Sequence, residues 1–407
     1  MKEILFVCPY DNIYPPMNGG MQRCFNILHQ LAKKFKVTVI IHQDKSDFEI
    51  AIPLYPALGS VKIYSTKYEE EPRDFFSPFP GRIKKAIRYR LYKRVIKGTT
   101  DGSFLLYYSL LNKLMKQQEF NVIMLENLAT INSVSVIRRH DKNVPIIYDA
   151  HNVDSKLAME SISMCSSKSE AIGMQNVEST LYKKVNSIIT CSEKDKADFL
   201  LMNQYKLPVF VIPNGVAIPE HSLHEGIMKD VPTHIIFCGS MGYAPNEEAI
   251  FWFYNEIWPV VKSKFPELIF LIVGSGVVPL SLHHLQSDKS VVFSGKVNDL
   301  QPWYNMATLS IVPIKTGSGT RLKIMEAMGY GIPVVSTSKG AEGIHYTAGK
   351  DILIGDDAEQ FAEEVILLLN DKEKRLSIKT EASSLVKKNY NWDLIGIQLE
   401  DCINNLS

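Results

Sequence analysis

The stretch LSIVPIKTGSGTRLKIMEAMGYGIPVVST, residues 309–337, decides how the chain is read. Its apolar run to Ile314 has the length and composition of a buried strand, KTGSGT is a loop, RLKIMEAM continues as a helix, and PVVST opens another strand. A strand, a helix and a strand in that order make a parallel crossover, the building unit of an α/β sheet. The glycine-rich loop leaves backbone N–H groups at the mouth of the helix, with Arg321 and Lys323 beside them. Amides and helix dipole favour an anion by roughly 0.3–2 kcal/mol, and each charge-assisted contact from either cation adds ~1.5–3 kcal/mol. The loop does not match the G-x-x-x-x-G-K-S/T of nucleotide hydrolases. A diphosphate is its natural guest. Glu326, one turn inside the helix, is too deep to face phosphates without repelling them, but a carboxylate accepts hydrogen bonds from vicinal hydroxyls, as in ribose recognition. The loop therefore reads as a nucleoside diphosphate clamp, against the plainer reading of a Gly-Ser-Gly linker with solvated cations.

The same alternation extends along the chain. The first series of candidate strands is EILFV, VTVII, VKIY, VIML, PIIYDA, SIITC and VFVI; the second is HIIFCG, LIFLIVG, VVFSG, LSIVPI, PVVST and ILI. Short β-branched runs between longer helical patterns imply parallel sheets covered by helices on both faces. Between Pro213 and Pro232 the chain is rich in Pro, Gly, His and charge and loses its periodicity, which marks a linker. The fold class is α/β, with two Rossmann-like doubly wound domains over residues 1–218 and 219–389. A length of 407 residues, too long for one ordinary core, agrees with two domains. The final stretch YNWDLIGIQLEDCINN sets Ile395, Leu399, Cys402 and Ile403 on one helical face, which packs either on its own domain's sheet or back on the first domain.

Composition excludes several classes. With 45% apolar and 22% charged residues the chain has the make-up of a soluble globular protein, and no apolar run approaches the ~18 residues of a membrane span. MKEILFVCPYD is a buried-strand pattern, too short for a signal peptide, so the expected location is the cytoplasm. A net charge of +1 lacks the electrostatic footprint of a nucleic-acid binder. The six cysteines, Cys8, Cys24, Cys165, Cys191, Cys238 and Cys402, form no C-x-x-C pair, so buried free thiols are expected and a zinc site is not.

Ligands of open parallel sheets bind outside the carboxyl ends of the strands, so the residues after each strand matter most. Gly19 and Gly20 stand where a long loop meets a helix; they either admit a ligand to its terminal amides or make a tight turn. Gly239 and Ser240 follow HIIFC, and Asn246 with Glu247 and Glu248 looks like an ordinary helix N-cap and first turn. Gly274 and Gly276 follow LIFLIV, but Pro279 and the missing third glycine of G-x-G-x-x-G disfavour a nicotinamide enzyme.

Together these residues resemble a glycosyltransferase of the GT-B fold, family 4, often called the group 1 family. The resemblance covers nearly the whole chain: Gly19-Gly20 after the first strand, DAHN at 149–152, TCSEKD, IPNGV, FCGSM, IVGSG, VVFSGKV, GTRLKIMEAMGYGIPVVST and the terminal NWD helix. It implies two domains facing a cleft, with the acceptor on the first and the nucleotide sugar mainly on the second. It also implies that a C-terminal helix, residues 390–407, crosses back to complete the first domain. Glu326 matches the second glutamate of the family's E-x7-E motif, which holds the ribose. The first glutamate falls at Ser318, so the backbone amides from Gly317 through Ser318 and Gly319 to Thr320 are expected to replace its contact to the sugar. The arginine and lysine common after the FCGSM-like strand are absent, and Arg321 and Lys323 are expected to supply that charge. Gly19, Gly20, Gly239, Ser240, Gly274, Gly295 and Lys296 complete the donor-binding set. His151 matches a first-domain histidine that reaches the donor near the reacting carbon, and with Arg321 and Lys323 it forms the catalytic set.

The implied reaction moves a sugar from a nucleotide-diphosphate donor to a glycan or lipid-linked acceptor with retained anomeric configuration, in cell-surface polysaccharide assembly. The departing phosphate needs charge stabilisation, which the two cations and the loop amides supply without a metal; no D-x-D suited to one is present and no cofactor is expected. Two other readings are a nucleotide-sugar epimerase of similar fold and, because of Ser318, a non-catalytic nucleotide-sugar binding subunit. GRIKKAIRYRLYKRVIKG, residues 81–98, carries eight Lys or Arg and no acid, with Ile83, Ile87, Leu91 and Val95 at four-residue spacing. Residues 82–97 thus suit an anionic membrane surface on the inner face of the membrane or a phosphorylated acceptor, or else a helix packed on the first domain with a solvated basic face.

Overall fold

In the computed structural model, residues 1–10, 12–66, 104–160, 168–218, 232–317 and 321–406 are described. The basic segment 82–97, Cys165 and the loop residues Ser318, Gly319 and Thr320 lie outside them. All thirteen apolar runs form strands, in two separate sheets. The first holds β1 (Glu3–Val7), β2 (Lys36–Ile41), β3 (Lys62–Ser65), β4 (Val122–Glu126), β5 (Ile146–Ala150), β6 (Ser187–Thr190) and β7 (Val209–Val211). Its order is β3-β2-β1-β4-β5-β6-β7 with parallel pairing; Ile4 is in register with Val37 on one side and with Val122 on the other. Helices cover both faces, so consecutive residues such as Ile4, Leu5, Phe6 and Val7 are all buried, and the strands read as apolar runs rather than alternating ones.

The second sheet comprises β8 (His234–Cys238), β9 (Ile269–Val273), β10 (Val291–Phe293), β11 (Leu309–Val312), β12 (Val334–Ser336) and β13 (Leu353–Ile354), in the order β10-β9-β8-β11-β12-β13, again parallel. Each fully buried aliphatic here, such as Ile236 or Ile311, contributes roughly 1.5–3 kcal/mol. In both sheets the strand order reverses beside the first strand, between β1 and β4 and between β8 and β11. Loops diverge there, leaving a crevice at the carboxyl ends of the strands.

The chain forms two compact units, Met1–Pro213 with Ile395–Ser407, and Asn214–Leu394. The terminal helix Trp392–Asn404 buries Ile395, Leu399, Cys402 and Ile403. Its ties run to the first unit: Lys34 pairs with Glu400 at 3.2 Å, and Lys2 Nζ donates to the Ile403 carbonyl at 3.2 Å. Among the described residues no helix is long and apolar enough to cross a membrane.

Candidate functional site

In the second domain the crevice between β8 and β11 gathers Gly239, Ser240, Gly274, Gly317 and Glu326, five of the twelve expected donor-binding residues. A Cβ on Gly274 would lie 2.0 Å from the Gly239 carbonyl oxygen, so the loops after β9 and β8 pack backbone against backbone. A Cβ on Gly239 would lie 2.8 Å from Lys323 Nζ, which arrives from the helix Leu322–Gly329 after β11. Lys323 Nζ donates to Asn246 Oδ1 at 2.7 Å and sits 4.1 Å from the centroid of the Phe237 ring. Asn246 Nδ2 in turn donates to the Ser240 carbonyl at 2.9 Å. Lys323 is thereby delivered to the loop after β8, where the sequence has no cation of its own. Burial and the neighbouring Arg321 charge push its ammonium down to about 7, with Glu326 acting in the opposite direction.

Arg321 is buried and donates through Nη2 to the Thr316 carbonyl at 3.2 Å. Gly317, at φ +87°, lies against it: a Cβ there would come within 3.2 Å of Nη2. Glu326 is half-buried on the same helix as Lys323, and its charge helps to raise the pKa of Tyr330, behind burial and Asp299, to about 12. Gly295 and the exposed Lys296 follow β10, the edge strand, which β9 separates from the crevice. The reading of Asn246 as an N-cap is corrected. With Pro245 favouring the first turn, the helix Ala244–Trp252 begins earlier, Tyr243 occupies the cap without a side-chain bond, and the Asn246 amide is released to bridge Ser240 and Lys323.

In the first domain the crevice between β1 and β4 holds His151. Its Nε2 is 3.0 Å from Glu126 Oε2, at the end of β4, and its Nδ1 is 3.1 Å from Tyr10 Oη, after β1. A Cβ on Gly20 would lie 2.1 Å from Tyr10 Oη and 3.3 Å from His151 Nδ1, so the glycine lets this pair lie beneath the start of the helix Gly19–Lys34. Asn18 caps that helix by accepting from the Met21 N–H at 2.9 Å, leaving Gly19 in its exposed first turn. Burial drives His151 down to about 4, against the pull of Asp149. Burial also drives Glu126 well above the carboxylate range, assisted by Asp149 and opposed by Arg23. For both groups burial thus favours the neutral form.

Beside them Arg23 grips Asp149 through Nε at 2.9 Å and Nη2 at 2.6 Å, and Cys24 Sγ donates to Glu126 Oε2 at 3.2 Å. Among the described residues Cys8, Cys24, Cys191, Cys238 and Cys402 are free and buried. Sequence reasoning singled out His151 but missed Tyr10, Arg23, Cys24 and Glu126. A signal was available: VIMLE and IIYDA end apolar strands with a carboxylate or place one next to last, where a structural role alone would favour another aliphatic residue.

Residues 232–371 match the family "Glycosyl transferases group 1". An uncharacterised 44.6 kDa protein in the cps region of Klebsiella pneumoniae is 26% identical over 190 residues, 44% of this chain and 49% of that protein. A GDP-mannose-dependent monoacylated alpha-(1-6)-phosphatidylinositol monomannoside mannosyltransferase of Corynebacterium glutamicum is 25% identical over 158 residues, 36% of this chain and 42% of that one. The chain spans about half the length of the curated relatives it matches. Among solved structures, Anabaena HepE in complex with UDP and glucose aligns at a TM-score of 0.65 with 13% identity, covering 99% of this chain and 100% of its own. TarM aligns at 0.69 with 13% identity, covering 99% of each. Over residues 232–371 the chain thus resembles the group 1 glycosyl transferases, and its two-domain α/β fold is that of these solved structures.

Proposed function

We propose that the protein is a glycosyltransferase that moves a sugar from a nucleotide-diphosphate donor to a glycan or lipid-linked acceptor in cell-surface polysaccharide assembly, with retention and without a metal. The observation that carries this reading is the delivery of Lys323 to the Gly239 loop, with Arg321 beside Gly317, at the reversal point of the second sheet. Backbone approach at Gly239 and Gly274 admits a diphosphate, and the two cations stabilise the charge that collects on it as the glycosidic bond breaks. Glu326, deeper on the helix, is assigned to the ribose hydroxyls. His151 is assigned to the sugar, its ring oriented by Glu126 and Tyr10. The acceptor class is supported by the relatives: one carries a cps region in its name and another a lipid-linked mannoside.

Incubation with a panel of nucleotide sugars, with and without glycan or lipid-linked acceptors, tests the reading. Transfer releases nucleoside diphosphate stoichiometrically with glycosylated acceptor and persists in EDTA. An isomerised sugar formed without acceptor would instead identify an epimerase, and binding without turnover across the panel a non-catalytic subunit.

A further inference from the structure

Against the His151–Glu126 contact lies a thiol, Cys24, that this reading leaves without a role. Cys24 Sγ is 3.2 Å from Glu126 Oε2 and 3.8 Å from His151 Nε2, and His151 Nε2 is 3.0 Å from Glu126 Oε2. All three side chains are buried, and one ligating atom from each lies within 4.8 Å of the others. A tetrahedral zinc with Zn–S about 2.3 Å, Zn–N about 2.05 Å and Zn–O about 2.0 Å separates the same pairs by about 3.5, 3.6 and 3.3 Å. The triangle in the protein is, to within about 0.3 Å, one face of such a site. A second observation points to a guest: Glu126 Oε1 is buried and has no hydrogen-bond partner among the described residues. His151 Nδ1 already has the outer contact, Tyr10 Oη, that holds a metal-ligating imidazole in place.

We infer that Cys24, Glu126 and His151 bind a thiophilic divalent cation, of which zinc is the representative, and that the bound ion withdraws His151 from sugar transfer. The second half rests on the function proposed above; the binding does not. A thiolate and a carboxylate neutralise the ion, so the buried site carries no net charge, and the sulfur–nitrogen–oxygen set selects zinc or cobalt over magnesium. The proposal departs from the expectation from cysteine spacing, that zinc has no place here, because its ligands come from three elements far apart in sequence: the helix Gly19–Lys34, the end of β4 and the loop after β5.

The test is cobalt titration of the full chain after EDTA treatment. Expected are one equivalent bound, a thiolate-to-cobalt charge-transfer band displaced by zinc, loss of that band in Cys24→Ser, at least tenfold weaker binding in Glu126→Gln, and an unchanged band in Cys402→Ser. If Cys24→Ser does not fold, zinc-edge X-ray absorption of the wild type decides, a sulfur in the first coordination sphere being required. Absence of the band or of the sulfur, or a band that survives in folded Cys24→Ser, overturns the site. Zinc is expected to inhibit sugar transfer reversibly, with the half-inhibitory concentration raised at least tenfold in Cys24→Ser. Loss of the transfer reading would leave the cobalt and absorption results standing.

Discussion

Lys323 Nζ and Asn246 Oδ1, 77 positions apart in sequence, meet at 2.7 Å across the crevice of the second sheet. The bond joins the helix after β11 to the helix after β8 and fixes an otherwise long, mobile ammonium beside the Gly239 loop. Asn246→Ala removes both this contact and the bond to the Ser240 carbonyl. Nucleoside diphosphate affinity is expected to fall by roughly 1–2 kcal/mol, about 5–30-fold, as read by calorimetry. Unchanged affinity would place Lys323 outside the diphosphate site.

The Lys323 ammonium, held down to about 7, makes binding depend on pH. A bound diphosphate restores opposite charge next to it and raises that value, so a proton is taken up on binding wherever free Lys323 is neutral. Affinity is therefore greatest below pH 7 and declines above it, by up to about tenfold per unit. Lys323→Arg keeps its charge and should flatten the profile between pH 7 and 9, the ligand's own titration being common to both proteins. The sign for stability is opposite. Between pH 7 and the ordinary lysine range the unfolded chain holds a proton the folded one has lost, so this residue makes the second domain more stable as pH rises.

Gly274 and Gly295 separate two reasons for glycine in the same domain. At Gly274 a methyl group would meet the Gly239 carbonyl oxygen at 2.0 Å, a backbone atom that cannot swing away, whereas at Gly295, with φ +66°, it would meet nothing within 4 Å. Gly274→Ala is expected to destabilise by about 3 kcal/mol or more through overpacking. Gly295→Ala should lose only the roughly 1–2 kcal/mol of left-handed backbone strain. Denaturant unfolding of the two variants checks the ranking; equal losses would mean the loops after β8 and β9 can separate.

Much of this architecture was legible because it rests on local patterns. Each apolar run is bounded by turn residues, and burial on both faces makes runs such as IFLIV visible without knowledge of their neighbours. Arg321, Lys323 and the loop glycines stand out in the sequence because strand, loop and helix are contiguous there. Asn246 was misread and Glu126 overlooked for the opposite reason. Their partners, Lys323 and His151, are distant in sequence, and only the strand order brings them together. Lys296 shows the converse. Its motif is local and clear, yet the sheet order puts its loop at the edge strand.

Arg23 and Asp149 pose the sharpest test of the first domain. The guanidinium binds the carboxylate with two nitrogens and the Ile212 carbonyl with the third, at 2.9 Å, and both side chains are almost wholly shielded, at 1% and 0% exposure. Burial disfavours the charged guanidinium, but Asp149 reverses that effect and keeps it protonated. Asp149→Asn would leave a buried cation without its counter-charge and is expected to destabilise by about 3–5 kcal/mol. If the loss comes from the orphaned charge rather than from missing contacts, Arg23→Met combined with Asp149→Leu should recover most of it, since an apolar pair of similar volume removes the desolvation penalty together with the attraction. Chemical denaturation of the single and double variants decides. A double variant no more stable than Asp149→Asn would show instead that the hydrogen bonds themselves, including the one to Ile212, hold the helix Gly19–Lys34 onto the sheet.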